Sequence, residues 1–521
     1  MLTEAPPLLS PSEEFRLARI PESNILDLSL LAAITLIAAV LRLHGLSAKS
    51  IWFDEAMSAE IARLPWSQFA SALWNREANM ALYYLLLHFW LALGATPGFI
   101  RGLSVVFSVA TVPVIGLLGT RLFGRKTGLI AAWLLSINAY HIRYAQEARS
   151  YALLVFLSAL ATLFFVWNLQ EPSRAHWDIY TALCVLAVCA HFFGGLVVLA
   201  HAASLLFVDR NRLPWPALKR CLSWFCACMV PIAAFVVHAG PGPLNWIPRT
   251  AFGVVAALFI SMAGNYGLRL LVADTVAACV AGFVAYRLWN KNGHPLQVWS
   301  HGLAVSLISV PIATTLIVSV AHPLFVPRYL NPCLIGLILL VAAGIACVPS
   351  QAIASVLVAL ISVFSLLGTA SYYRQDFDMV RDRWDSATTF VFDHARPGDG
   401  AFFFLNFTRV PFEFYRTQRN PVPWWPEALS SQNGLGLTDK DFVFQYLGDE
   451  LRDARPPADR VWLILQYDED PDGKPNRASI MLRSVYGNGR HLIEAQKFSG
   501  ITVLLYSRDS TNPSPPAGNA Q

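Results

Sequence analysis

The chain has 521 residues, 55% of them hydrophobic and only 14% charged, with a net charge of +5 at pH 7. Soluble domains usually carry about a quarter charged residues, so an ordinary soluble globular enzyme is excluded. The excess basic charge falls in short joints between long apolar blocks, which reads as membrane topology and not as nucleic-acid binding.

Residues 1–24 read as a cytoplasmic N-terminal segment carrying Glu13, Glu14, Arg16 and Arg19. The apolar block Ile25–Leu43 is long and lacks a small-residue cleavage site, so it reads as a first span and not as a cleaved signal peptide. Three densely basic joints, 121–126, 210–220 and 287–291, are assigned to the cytoplasm. Counting crossings between them gives about eleven spans of roughly membrane length. They are Ile25–Leu43, 101–122, 129–140, 151–168, 179–190, 195–208, 221–239, 268–289, 298–320, 329–348 and 352–369. Parity makes two further apolar runs, 80–94 and 251–264, helices lying in the outer interface, where amphipathic aromatics are favoured. All eight cysteines lie between Cys184 and Cys347, inside apolar blocks and without zinc-type spacing. That argues against a disulfide framework and a thiolate zinc site.

From Ser371 the sequence changes to mixed charge, Pro/Gly turns and short apolar runs. A helix is predicted over 385–394 and buried strands over 401–405 and 461–465, with a terminal strand pair at 492–495 and 501–506. The expected fold class is therefore an α-helical polytopic membrane protein. A transmembrane domain at 25–370, with its first outer loop at 44–100, precedes an extracytoplasmic soluble α/β domain at 371–508. Residues 509–521, rich in Ser, Pro and Asn, are expected to be a disordered tail.

Polar residues are expensive at membrane depth, and here nearly all gather on the outer face. The first outer loop opens with Ile51-Trp52-Phe53-Asp54-Glu55. Tyr144-Ala145-Gln146-Glu147-Ala148-Arg149-Ser150-Tyr151 joins the third and fourth spans. His191 occupies the next outer turn, and Pro327-Arg328-Tyr329 joins the ninth and tenth spans. Carboxylates, an imidazole and two arginines at one face suit transfer of a group carried on a phosphate lipid. A carboxylate takes the acceptor's proton, and an arginine holds the departing phosphate. No Walker-type loop stands ready for a soluble nucleotide donor.

These residues resemble the GT-C class of membrane glycosyltransferases, specifically the family 39-like group of protein O-mannosyltransferases and lipid A aminoarabinose transferases. The matching pieces are Trp52 to Glu55, Ala81 to Trp90, Arg101, Tyr144 to Tyr151, His191, Pro327 to Tyr329, and Trp384-Asp385-Ser386-Ala387 at the start of the soluble domain. The resemblance implies a polyprenyl-phosphate sugar donor, an active site in the first outer loop, and inversion at the sugar carbon. It makes Asp54 the catalytic base and places Arg328 and Arg149 against the lipid phosphate. Glu55 takes a supporting or metal-proximal role, and Tyr144, Glu147, Tyr151, His191 and Tyr329 belong to the substrate-binding group. The chain departs from the family at Asn79-Met80-Ala81, where Pro-Pro often stands and where aminoarabinose transferases have Lys-Pro-Pro, which weighs against that substrate.

Plainer readings stand beside these. Asp54 and Glu55 suit the first turn of a helix, Glu147 and Arg149 could form a local pair, and Arg328 could anchor to headgroups. Asp274 is expected to be neutralised by Arg269. No three ligands converge by spacing, so a divalent metal is not fixed and the cofactor is left unknown. The acceptor is a lipid, glycan or protein, and the bilayer is the other partner. The competing class is a transporter, flippase or glycan-binding scaffold for lipid-linked sugars. It is disfavoured because no internal repeat is present and the polar residues avoid the midplane. The short loops suit a bacterial plasma (inner) membrane.

Overall fold

The computed structural model describes residues 25–240, 247–249, 253–264, 268–290, 295–374, 382–396, 398–404, 406–418, 458–466, 468–469 and 472–508. The segments predicted for 1–24 and 509–521 lie outside these residues. In chain order the helices begin with α1 (Ile25–Leu43), α2 (Phe53–Arg63), α3 (Trp66–Ala72), α4 (Ala81–Trp90), α5 (Pro97–Phe123), α6 (Arg125–Ile137), α7 (Ala139–Ala145) and α8 (Tyr151–Gln170). There follow α9 (Arg174–Ala190), α10 (Gly194–Ser204), α11 (Trp215–Ala239), α12 (Val254–Met262), α13 (Leu268–Asn290), α14 (Pro295–Ser319), α15 (Cys333–Ala346) and α16 (Gln351–Arg374). The rest of the chain forms α17 (Trp384–His394), β1 (Gly400–Phe404), α18 (Arg409–Thr417), β2 (Arg460–Gln466), α19 (Arg477–Gly487), β3 (His491–Phe498) and β4 (Ile501–Ser507).

Every predicted span is a helix, as a long apolar block must be if its backbone is to be satisfied without water. Seven helices among the described residues are long and apolar enough to cross a membrane: α1, α5, α8, α11, α13, α14 and α16. The other four, α6, α9, α10 and α15, are shorter. For α15 the reason is visible, since Cys333 to Ile345 are all buried and the helix is enclosed by protein rather than by lipid. The two predicted interfacial runs are α4 and α12, with 251–252 outside the described residues.

The chain divides into two compact units. The first takes residues Met1–Leu46, Ser71–Leu86 and Arg101–Phe377; the second takes Ser47–Ala70, Leu87–Ile100 and Asp378–Gln521. Residues 44–100, expected from the sequence to be the first outer loop and part of the membrane domain, are thus divided between the units.

In the first unit, small residues let helices approach closely. A Cβ added to Gly344 of α15 would stand 1.7 Å from the Ala277 carbonyl oxygen of α13, and one added to Gly336 would stand 2.4 Å from the Ala304 carbonyl oxygen of α14. Two expectations are corrected here. The span predicted over 129–140 ends at Ile137, because Asn138 caps a new helix by accepting the His141 N–H at 2.9 Å. Asp274 is buried and Arg269 exposed, and no ion pair joins them among the described residues.

In the second unit a four-stranded sheet has the order β1-β2-β4-β3. β1 and β2 are parallel, while β4 runs antiparallel to both β2 and β3. Gly500, at φ +75°, makes the tight β3–β4 turn. Alternation along the strands fills two cores. Phe403, Trp462, Ile464, Val503 and Leu505 meet Trp384 and Val391 of α17 and Phe412 of α18. Phe402, Leu463, Leu465 and Leu504 meet Leu482 and Tyr486 of α19 on the other face. The predicted α/β order is therefore correct, with α17 starting one residue earlier than expected.

Candidate active site

In the second unit, Asp54 and Glu55 occupy the first turn of α2. Trp52 is the N-cap residue in extended backbone and gives no capping hydrogen bond from its side chain. Carboxylates at this end are favoured by the helix dipole. Glu55 is fully buried, and Ser58 Oγ donates to the Asp54 carbonyl at 2.9 Å. Farther along, buried Glu60 pairs with Arg63 at 2.9 Å. His88 Nδ1 lies 2.7 Å from the Ala62 carbonyl oxygen, so the far end of α2 is tied down as well.

In the first unit the remaining predicted residues converge. The break at Asn138 turns the chain so that α7 and the following turn display Tyr144, Glu147 and Arg149 before α8 starts at Tyr151. A run of ring contacts links Tyr144 to Tyr151 at 5.2 Å, Tyr151 to His191 at 6.1 Å and His191 to Tyr329 at 4.7 Å. Tyr329 and Arg328 lie in the 3-10 turn Pro327–Leu330, and the next helix begins at Cys333 rather than at the predicted Tyr329. Glu147 pairs with Arg143 at 3.6 Å, and its carbonyl accepts the Arg149 N–H at 2.8 Å. Arg149 Nη1 donates to the Tyr84 hydroxyl at 3.5 Å, and its carbonyl accepts Ser104 Oγ at 3.2 Å.

His191 stands at the turn between α9 and α10. Burial, together with the guanidinium charges of Arg149 and Arg328, pushes its imidazole down to about 3, so the ring is neutral. Its Nδ1 accepts the Phe193 N–H at 3.2 Å, and its Nε2 lies 3.2 Å from the Asn79 amide nitrogen. Asn79 Oδ1 also accepts the Phe192 N–H at 3.0 Å. The departure from Pro-Pro at 79–81 therefore has a structural use: residues Ala78–Met80 form a 3-10 turn whose asparagine grips the His191 turn. Sequence reasoning treated Asn79 only as a departure and left Tyr84 and Arg143 without roles. A polar side chain beside an apolar run was the available signal. Arg101 is buried and donates to the Leu46 carbonyl at 2.8 Å, a structural tie.

Among the described residues, no group of three or more His, Cys, Asp or Glu side chains is placed to hold a metal ion. What the first-unit cluster offers is two guanidiniums set around one neutral imidazole and a tyrosine-rich wall, an arrangement suited to a multiply charged anion.

No protein-family model matches the sequence, and no curated protein matches it. Solved structures do. The chain is similar to ArnT from Cupriavidus metallidurans bound to undecaprenyl phosphate, with 13% identity and a TM-score of 0.57 over 94% of this chain and 99% of that one. In its apo state the same protein matches with 14% identity and a TM-score of 0.60 over the same shares. The arabinofuranosyltransferase AftD from Mycobacteria matches at 17% identity and a TM-score of 0.51, over 92% of this chain and 42% of its own. At such identities the likeness is one of fold, and the chain has the polytopic helical fold of the GT-C membrane glycosyltransferases.

Proposed function

We propose that this protein is a membrane glycosyltransferase that moves a sugar from a polyprenyl-phosphate donor to a hydroxyl of an extracytoplasmic lipid, glycan or protein, with inversion. The observation that carries the reading is the convergence of Arg149 and Arg328 on the buried, neutral His191. Elements far apart in the chain thus bring two guanidiniums beside one imidazole, and the planar guanidinium fork is well matched to phosphate oxygens. The fold shared over 94% of this chain with ArnT, itself bound to undecaprenyl phosphate, supports a lipid phosphate as the anion bound there.

In the reaction, the acceptor oxygen attacks the anomeric carbon while the bond from that carbon to the phosphate oxygen breaks. Asp54 takes the acceptor's proton, and Arg149 and Arg328 hold the departing phosphate as its charge grows. Glu55 supports Asp54, and Tyr144, Glu147, Tyr151, His191 and Tyr329 shape the donor side. The setting we propose is a bacterial inner membrane, with the soluble α/β domain outside.

The test is transfer by purified protein in nanodiscs, using a panel of radiolabelled polyprenyl-phosphate sugars. Wild type should consume one donor, and Asp54→Asn should lower that rate about 10²- to 10⁴-fold. Equal consumption by the variant would remove Asp54 as the base. A transporter or binder would show donor binding that Asp54→Asn leaves intact, with no turnover in either protein.

A further inference from the structure

Inside the second unit, α18 of the carboxy-terminal region packs along α2, the helix whose first turn carries Asp54. The Tyr415 hydroxyl of α18 accepts the Ile51 N–H at 2.7 Å and lies 3.3 Å from Ser50 Oγ. Ser50 Oγ in turn accepts the Asp385 N–H at 3.3 Å, at the start of α17. Ser50 and Ile51 are buried, so water is a poor substitute for these partners. Phe53 meets Phe407 edge-on at 5.0 Å. At the other end of α2, Arg63 donates to Thr417 Oγ1 at 3.3 Å and lies 5.2 Å from the centre of the Phe414 ring. The region around α18 therefore grips α2 at both ends. The Trp52 side chain gives α2 no capping bond, and the residues just before the helix are held from α17 and α18.

We propose that Tyr415 is a positioning residue. By holding the Ile51 amide three residues before Asp54, it fixes where α2 begins and thus where the Asp54 carboxylate stands, so the carboxy-terminal region is part of the catalytic device. The proposal rests on the reading of Asp54 as the base. Displacing a reacting group by about 1 Å can cost on the order of a hundredfold in rate, while donor binding is assigned to other residues. Losing the hydroxyl should therefore lower kcat and spare KM.

The experiment compares wild type, Tyr415→Phe and Leu482→Ala in nanodiscs, with the donor identified above. Leu482 lies in the core on the opposite face of the sheet, so its truncation lowers the stability of the unit without touching α2. Turnover and donor KM are measured beside hydrogen exchange in the peptide containing the Ile51 amide. The expected result for Tyr415→Phe is a kcat roughly ten- to hundredfold lower, an unchanged donor KM, and faster exchange at Ile51. Leu482→Ala should lower Tm and keep kcat. A wild-type kcat in Tyr415→Phe would overturn the proposal, as would an equal loss of kcat in Leu482→Ala. If wild type turns over no donor, the transferase reading falls, and the exchange measurement still decides the grip: unchanged Ile51 exchange in Tyr415→Phe would refute it.

Discussion

Glu60 is a carboxyl whose burial should be visible in stability. It lies on α2 with only 1% of its side chain exposed, facing Arg63 on its own helix and Glu413 and Arg416 on α18. Burial raises its pKa from 4.5 to about 7, with Glu413 adding to the rise and Arg63 and Arg416 opposing it. Folded Glu60 thus binds its proton more tightly than the unfolded chain does. Folding takes up a proton between pH 4.5 and 7, so stability falls as pH rises through that window and levels off above it. The full destabilisation above pH 7 is about 3 kcal/mol, and most of it develops between pH 5 and pH 8. Glu60→Gln removes the ionisation while keeping shape and a hydrogen bond. Its Tm relative to wild type should therefore rise by roughly 5–10 °C between pH 5 and pH 8, taking 2–4 °C per kcal/mol. Scanning fluorimetry of the full chain in detergent reads this directly. A Tm difference that is the same at both pH values would show that Glu60 is ionised in the folded protein throughout, and the burial argument would fail.

Three further outcomes follow from the first unit. Arg149→Lys and Arg328→Lys should each raise donor KM or lower kcat about tenfold or more, because a point charge replaces a planar fork; donor-concentration series at fixed salt read the change. Asn79→Ala leaves the buried side of the His191 turn without its Phe192 N–H acceptor, a loss of about 1–3 kcal/mol, which should appear as a lower Tm and weaker donor binding. Gly344→Ala drives a methyl into the Ala277 carbonyl oxygen, so α13 and α15 must separate; a lower yield of folded protein and a Tm below wild type are expected, whereas Gly282→Ala, on α13 with open space around it, should do less.

The fold was legible wherever one physical demand dominates. Apolar blocks had to be helices, and the strands of the α/β region announced themselves as runs such as Val461 to Leu465 between turn residues. The break at Asn138 was missed because no Pro or Gly marks it; the signal was an asparagine able to cap the next helix, hidden inside an apolar run. The cluster of Tyr144, Arg149, His191 and Arg328 was readable because polar side chains are costly at membrane depth. Its supports were not. Nothing in the pattern of 409–417 says that Tyr415 reaches Ile51, because amphipathic helices show which face is buried and not against which partner.

The same distinction explains a residue the motif itself contains. Gln146 lies among Tyr144, Glu147, Arg149 and Tyr151, yet its Nε2 donates to the carbonyls of Arg42 and His44, at 2.9 and 2.7 Å. Arg42, fully buried in the last turn of α1, donates to the Ser136 carbonyl at 2.8 Å and the Leu135 carbonyl at 3.2 Å, and lies 2.8 Å from His141 Nδ1. Those two carbonyls stand at the end of α6, where a helix leaves acceptors unsatisfied and where a cation is favoured. The last turn of α1 therefore holds the chain on both sides of α7, before the break at Asn138 and after it at Gln146. That bracket, and not the motif, decides how far Tyr144 to Tyr151 can project. Gln146 belongs with Arg42 as a residue that shapes the site, while Arg149, two residues past Glu147, remains among those that would meet the substrate.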